Sequence, residues 1–428
     1  MHLAELTYLG TVGLAGAVAR SMARGLPDAV RLRLEARPAE GLMPGWIWLH
    51  AVSVGELLLA QGLIGLLRDE GHAIHVTTGT RAGMSLLATR LPGWDGGTGR
   101  VTGGAFPLDD PEGLAPFLAA RPGAFIALET ELWPNLLRAL AEAAVPAAVV
   151  NGRLTARTLA RGGPWMRQAA RRLSLVAARD AASLEAFHVL GAPWVALGGN
   201  LKADLPPPLP LHGGWNPLRA AWADFPVVVA GNTVEGEEDL VIAAWREARD
   251  VFPELRLMLA PRQPRRFGEV AARMKALGLA FRRASEPWPG DPACWVPCEA
   301  LLMDTLGELA AAYAEGTVAL VGGGWTWSGG HNPLEPARFG LPTLIGPGYD
   351  NFQDLVAPLR EDRRVVVVNP EDLGSSLRKA LEGAPLRSKG MAPLPDALQG
   401  TLARTRALLK IVLPRPRYEM HVFPETTG

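Results

Sequence analysis

The 428-residue sequence has only two cysteines, Cys294 and Cys298. Two thiols cannot build a disulfide scaffold, and their scarcity fits a cytosolic or cytosol-facing protein. As zinc ligands they would be half of a set that nothing nearby completes. Charge of one sign is missing too: 43 Lys and Arg balance 43 Asp and Glu. No global field invites nucleic acid, and no such partner is expected. No GxxxxGK[ST] loop occurs, and no compact aspartate cluster offers a magnesium site. Neither a metal nor a cofactor is therefore expected. Long hydrophobic runs are also lacking. Residues 6–19 (LTYLGTVGLAGAVA) are uncharged and mostly apolar, but as a helix they reach about 21 Å, short of the roughly 30 Å hydrocarbon core. No basic segment precedes them, which argues against a cleaved secretory signal.

What is present is apolar material, 48% of the residues against 20% charged, enough for sizeable cores. The length suggests two domains or three. Short apolar runs alternate with amphipathic stretches, the pattern of parallel α/β units. Strands are expected at Trp46–His50, His75–Thr78, Ala124–Leu128, Ala147–Val150, Leu175–Ala177 and Trp194–Leu197, with helices such as Glu56–Asp69 and Pro134–Ala144 between them. The Pro-rich segment LPPPLPL (205–211) interrupts this pattern and is the best linker. Afterwards the alternation restarts, with strands at Val227–Ala230, Leu255–Leu259, Ala300–Met303, Val318–Val321, Pro342–Ile345 and Arg364–Val368. Helices are expected over Glu237–Asp250, Arg265–Leu277, Leu306–Ala314 and Pro333–Phe339.

The expected class is thus α/β, with two Rossmann-like parallel-sheet domains facing a central cleft. The expected division is a membrane-associating segment 1–24, a first domain 25–204, a hinge 205–215, a second domain 216–412 and a tail 413–428. Arg20, Arg24, Arg31, Arg33 and Arg37 follow the apolar amino-terminal run. That run is either an interfacial helix with cationic flanks on an anionic membrane surface or a core helix.

In open parallel sheets ligands sit beyond the carboxyl ends of strands, so the strand-to-helix loops are the informative ones. In HAVSVGE (50–56) Gly55 allows a sharp turn, and Glu56 falls in the first helical turn, where the macrodipole favours its ionised form. It is either ordinary helix-start chemistry or a base for a hydroxyl. ETELWPN (129–135) sends Glu129 directly off an apolar strand, with Glu131 as a second carboxylate or cap and Pro134 opening a helix. GNLKAD (199–204) carries Lys202, a cation for both halves or an exposed linker lysine.

In the second half, GNTVEGEE (231–238) opens a helix whose amides would take an anion, unless its own glutamates complement the dipole. PRQPRRF (261–267) places Arg262, with Arg265 and Arg266, at a strand end suited to phosphate. GGGWTWSGGHNPLE (322–335) has glycines for close backbone approach, Asn332 as a helix cap and Glu335 for ribose hydroxyls. From Asn151 to Arg179 there are seven arginines and no acid. The spacings 153, 157, 161 and 167, 171 form common helical faces, for an anionic lipid headgroup or simply for water.

Taken together, HAVSVGE, ETELWPN, NGRLTAR, GNLKAD, GEE, PRQPRRF, DTLGEL, GGHNPLE and GPGYDNF, in this order from about residue 46 to 355, resemble the 3-deoxy-D-manno-octulosonic acid (Kdo) transferases. The resemblance implies a GT-B glycosyltransferase with CMP-Kdo as donor and a lipid A precursor, lipid IVA, as acceptor. It implies work at the cytoplasmic face of the bacterial inner membrane in lipopolysaccharide biosynthesis, with CMP-Kdo a substrate rather than a cofactor. By position, Glu56 is implied as general base, and Glu129 and Lys202 as transition-state stabilisers. Pro261, Arg262, Leu306, Gly307, Glu308, Asn332, Pro333, Leu334 and Glu335 fall on CMP-binding positions. Ser53, Arg153, Arg157 and Arg161 are the acceptor-side candidates.

This chain departs from the family in having Gln263 and Arg265 where His and Glu are usual, GN at 231–232 where Ser or Thr is common, NGRLT for NARLS, and a short amino-terminal run. Without a covalent intermediate, transfer would invert the anomeric centre. The competing readings are another GT-B transferase or a nucleotide-sugar epimerase, which would not need ETELWPN, and a two-lobed solute-binding protein, which would need an export signal.

Overall fold

The computed structural model of the chain describes residues 11–17, 27–94, 98–205, 211, 213–388 and 390–414. They form two compact units: one holds the residues up to Leu205 together with those from Gly400 on, the other the residues between. Most of the expected membrane segment, most of the Pro-rich linker and the end of the tail lie outside the described residues. Residues 11–17 are helical, and no helix among the described residues is long and apolar enough to cross a membrane.

The first unit is built on strands β1 (Ile47–His50), β2 (Ile74–Thr78), β3 (Val101–Ala105), β4 (Ala124–Leu128), β5 (Ala147–Gly152), β6 (Leu175–Ala178) and β7 (Val195–Leu197). They pair in parallel in the order β3-β2-β1-β4-β5-β6-β7. Alternation along the strands sorts side chains onto two buried faces. Trp46, Trp48 and Phe125 pack on one face, while Ile47, Leu49, Ile126 and Leu128 pack on the other with the helix Val54–Asp69.

The second unit repeats the plan with β8 (Val227–Thr233), β9 (Arg256–Pro261), β10 (Phe281–Arg283), β11 (Ala300–Leu302), β12 (Val318–Val321), β13 (Thr343–Ile345) and β14 (Val365–Val367). The order is β10-β11-β9-β8-β12-β13-β14, again parallel. Val228 and Ala230 of β8 join one core, and Val227 and Val229 the other.

Three expectations need correcting. β3 (VTGGA) and β10 (FRR) are strands that the apolar-run reading misses. The helix expected over Leu306–Ala314 shrinks to Leu309–Ala312, because Gly307 turns the chain with φ +89° just before it. The second domain does not run to residue 412. The helix Thr401–Leu409 returns to the first unit, where Asp204 accepts the Thr401 hydroxyl and the Leu402 N–H, Arg406 pairs with Glu70, and Leu409 and Val412 enter the core beside Leu57 and Leu63.

Candidate active site

The strand order reverses between β1 and β4 in the first sheet, and in the second it reverses centrally between β8 and β12, with β10 and β11 exchanged at the far edge. Loops diverge there and leave room for a ligand at the carboxyl edge.

In the first unit the loop after β1 leads to the helix Val54–Asp69, capped by Ser53, whose backbone is extended and whose Oγ accepts the Glu56 N–H at 3.3 Å. Glu56 answers: its Oε1 accepts the Ser53 hydroxyl at 3.1 Å and its Oε2 the Val52 N–H at 2.8 Å. This is a reciprocal cap. Gly55 does not make the turn; it lies inside the helix, outside the left-handed region. Nor does the helix keep Glu56 firmly ionised. Burial outweighs the two hydrogen bonds, and with the nearby charges of Glu129 and Glu131 it raises the pKa to about 7. A carboxylate so poised can take a proton from a hydroxyl near neutrality.

Glu129 leaves β4 with φ +57°, a left-handed conformation that costs a non-glycine residue free energy. Its N–H donates to Val150 O at 3.0 Å. Two residues on, Glu131 accepts from the Trp133 indole at 2.8 Å, and burial raises its pKa. His50 Nε2 lies 3.9 Å from Glu131, but burial lowers the His50 pKa to about 3, so the contact is not an ion pair. His50 stacks on Phe106 with centroids 3.7 Å apart. Arg33 covers Trp133 at 4.8 Å and donates to Pro107 O at 2.9 Å. Arg33 is thus part of this wall rather than a free member of the cationic flank that the sequence suggests. Its signal was absent because it comes from a helix with no motif.

Asn151, also left-handed (φ +53°), ties in GNLKAD by accepting the Leu201 N–H at 3.0 Å. Lys202 sits half-buried in the short turn Leu201–Asp204. Thr130 donates to Arg153 O, joining ETELWPN to NGRLTAR. The basic stretch is not one continuous face. It is split into helices Ala156–Arg161 and Gly163–Ala170. Arg157, Arg167 and Arg171 are exposed, whereas Arg179 is buried and paired with Asp180 at 3.0 Å. The Arg161 side chain lies outside the description.

In the second unit an open cavity of about 730 Å³ occupies the switch point. Its walls come from the loop after β8 (Val234, Glu235), the loop after β9 (Arg262 to Arg266) and the loop after β12 (Thr326, Trp327, His331). The expected anion site on the GNTVEGEE amides is otherwise engaged. Glu237, fully buried, accepts N–H groups from Val234 (3.1 Å), Gly323 (2.7 Å) and Trp325 (2.9 Å), and so folds the glycine loop onto its own carboxylate. Glu238 holds Arg266 with two bonds of 2.7 and 3.0 Å, so Arg266 is not a ligand arm. Arg262 makes no side-chain hydrogen bond or ion pair among the described residues.

His331 is kept neutral, its pKa lowered to about 4 by burial and by Arg262, and its Nε2 is buried without a partner. Trp327, half-exposed, and His331 were not anticipated; a tryptophan in a glycine loop was the available signal.

Of the implied donor residues only Arg262 lines this cavity; the others are not among its lining residues. Pro261 is buried at the end of β9. Leu306 is exposed, and Glu308 accepts from the Trp215 indole at 3.1 Å. Asn332 accepts the Leu334 N–H at 3.2 Å beside Pro333, and its amide approaches Glu335 at 3.4 Å.

Two doubly wound parallel sheets, with the last helix returned to the first, and loops of this kind at both switch points define the GT-B fold. The Kdo transferases of Haemophilus influenzae and Bordetella pertussis are 32% and 36% identical to this chain, over 89% and 72% of its length and 88% and 72% of theirs. The chain belongs to the 3-deoxy-D-manno-octulosonic acid (Kdo) transferase family. A family model described as 3-deoxy-D-manno-octulosonic-acid transferase (kdotransferase) matches residues 25–205. Among solved structures, the UDP-GlcNAc 2-epimerase of Neisseria meningitidis superposes with TM-score 0.54 at 11% identity, over 86% of this chain and 99% of that one. A putative UDP-N-acetylglucosamine 2-epimerase of Listeria monocytogenes gives 0.53 at 12%, over 90% and 99%. At such identities the likeness is one of fold.

Proposed function

We propose that this Kdo transferase uses CMP-Kdo as donor and a lipid A precursor, lipid IVA, as acceptor, at the cytoplasmic face of the inner membrane. Glu56 is the general base. It removes the proton from an acceptor glucosamine hydroxyl as that oxygen attacks the anomeric carbon, and CMP leaves with inversion. The observation that carries this reading is the Glu56 carboxylate, poised near pH 7 and fixed by Ser53 and Val52 at the switch point. Glu129 and Lys202 stabilise the charge that develops, and Arg262 takes the leaving phosphate. Asn332 to Glu335 and the Leu306–Glu308 turn complete the CMP contacts.

Glu56→Gln tests the assignment. Turnover is expected to fall by at least about 10²-fold with CMP affinity unchanged; a near-normal kcat rejects the role. Incubation with CMP-Kdo and a tetraacylated lipid A precursor, read by mass, should show the gain of a Kdo unit.

The exposed Arg157, with Arg161, is assigned to the anionic acceptor headgroup. Charge reversal of the pair should raise the acceptor KM. The amino-terminal segment is assigned to the anionic membrane surface, and deletion of residues 1–24 should reduce flotation with anionic liposomes.

A further inference from the structure

Four arginine and glutamine positions follow β9, and the structure divides them sharply. Arg266 is spent on Glu238. Arg262 and Arg265 both line the cavity at the second switch point, and neither meets a carboxylate among the described residues. Arg265 is nevertheless fixed: its Nε donates to Gln263 Oε1 at 2.8 Å. That bond uses the side of the guanidinium and leaves both Nη groups for another acceptor.

Gln263 and Arg265 act here as a pair. Arg265 gives this wall a second cation beside Arg262. The opposing wall has one acid, Glu235, and His331 is neutral, so the cavity is left positive. An occupant with one anionic group is served by Arg262 alone. Two guanidiniums on one wall match an occupant with two.

A sugar-acid nucleotide is such a molecule. It carries a phosphate on the nucleoside and a carboxylate on the carbon that also bears the leaving oxygen. A guanidinium fork meets a carboxylate with two parallel hydrogen bonds, a geometry a lysine cannot reproduce. We propose that Arg265, oriented by Gln263, binds the carboxylate of the sugar acid in the donor while Arg262 binds the phosphate. The proposal rests on reading this cavity as the donor site.

The test is equilibrium titration of the full-length protein with CMP, which lacks the carboxylate, and with CMP-Kdo, which has it. Arg265→Ala is expected to weaken CMP-Kdo by about tenfold while CMP changes by less than about twofold. Arg265→Lys should recover only part of the loss. Arg262→Ala should weaken both ligands. If Arg265→Ala weakens both equally, or neither, the carboxylate assignment is overturned while the donor site stands. If Arg262→Ala leaves both unchanged, the donor reading of the cavity fails and the proposal with it. Arg265 is exposed, so its replacements put no core packing at risk.

Discussion

Ser53 and Glu56 hold each other through two bonds, the Ser53 hydroxyl donating to the carboxylate at 3.1 Å and accepting the Glu56 amide at 3.3 Å. One residue thereby both starts the helix and aims its candidate base. Removing the hydroxyl in Ser53→Ala takes away a bond that favours the ionised carboxylate, so the Glu56 pKa should rise further. The acid limb of the kcat/KM profile should move to higher pH, and the lost cap should cost about 1 kcal/mol in denaturant unfolding.

The pH dependence of the parent enzyme follows from the same group. With a pKa near 7, Glu56 loses its function as a base on acidification. Below that value kcat/KM should fall about tenfold per pH unit, and above it the profile should level. An initial-rate series across the range with sub-saturating acceptor, where the rate is proportional to kcat/KM, checks this.

Stability should move the opposite way. The folded pKa of Glu56 is raised from 4.5 to about 7, so its favourable contribution is present below about pH 4.5 and is lost as the pH rises through 7. Above 7 the ionised carboxylate is a burden to the fold. Glu56→Gln should therefore be the more stable protein at pH 8, by about 1 kcal/mol after allowing for solvent screening, with the gap closing near pH 4. Thermal melts at the two pH values measure it.

Glu129 carries its side chain on a left-handed residue. Glycine adopts that conformation freely, so Glu129→Gly should relieve about 1 kcal/mol of backbone cost while abolishing transfer. A raised Tm with lost turnover would separate strain held for function from packing held for stability.

Glu237 should behave as a keystone of the second unit. Glu237→Ala leaves the amides of Val234, Gly323 and Trp325 buried without their acceptor. The expected loss is about 2–4 kcal/mol, with CMP binding lost as the glycine loop detaches. Hydrogen exchange at residues 322–327 would locate the damage.

Central strands were legible because burial on both faces leaves near-continuous apolar runs. Ala124–Leu128 and Val318–Val321 have the same bounds in sequence and structure. β3 and β10 are edge strands, where half-exposure admits the glycines of VTGGA and the arginines of FRR, and the apolar signal disappears. Loop motifs gave the positions of Glu56, Glu129 and Arg262, but not which neighbours are engaged elsewhere. That Arg266 is consumed by Glu238, and that Glu237 fills the amides of the glycine loop, depends on contacts across tens of residues. Local spacing does not encode them. Arg33 and His331 reach their sites in the same long-range way.

The helix Thr401–Leu409 makes the second unit an insertion within the first. During synthesis the amino-terminal half emerges before the residues that seal its hydrophobic face, Leu409 and Val412. It must wait, incomplete, while some two hundred residues of its partner are made and folded. Chaperone dependence, and the aggregation of any fragment ending before Gly400, should therefore track the front half of the gene product rather than the nucleotide-handling half.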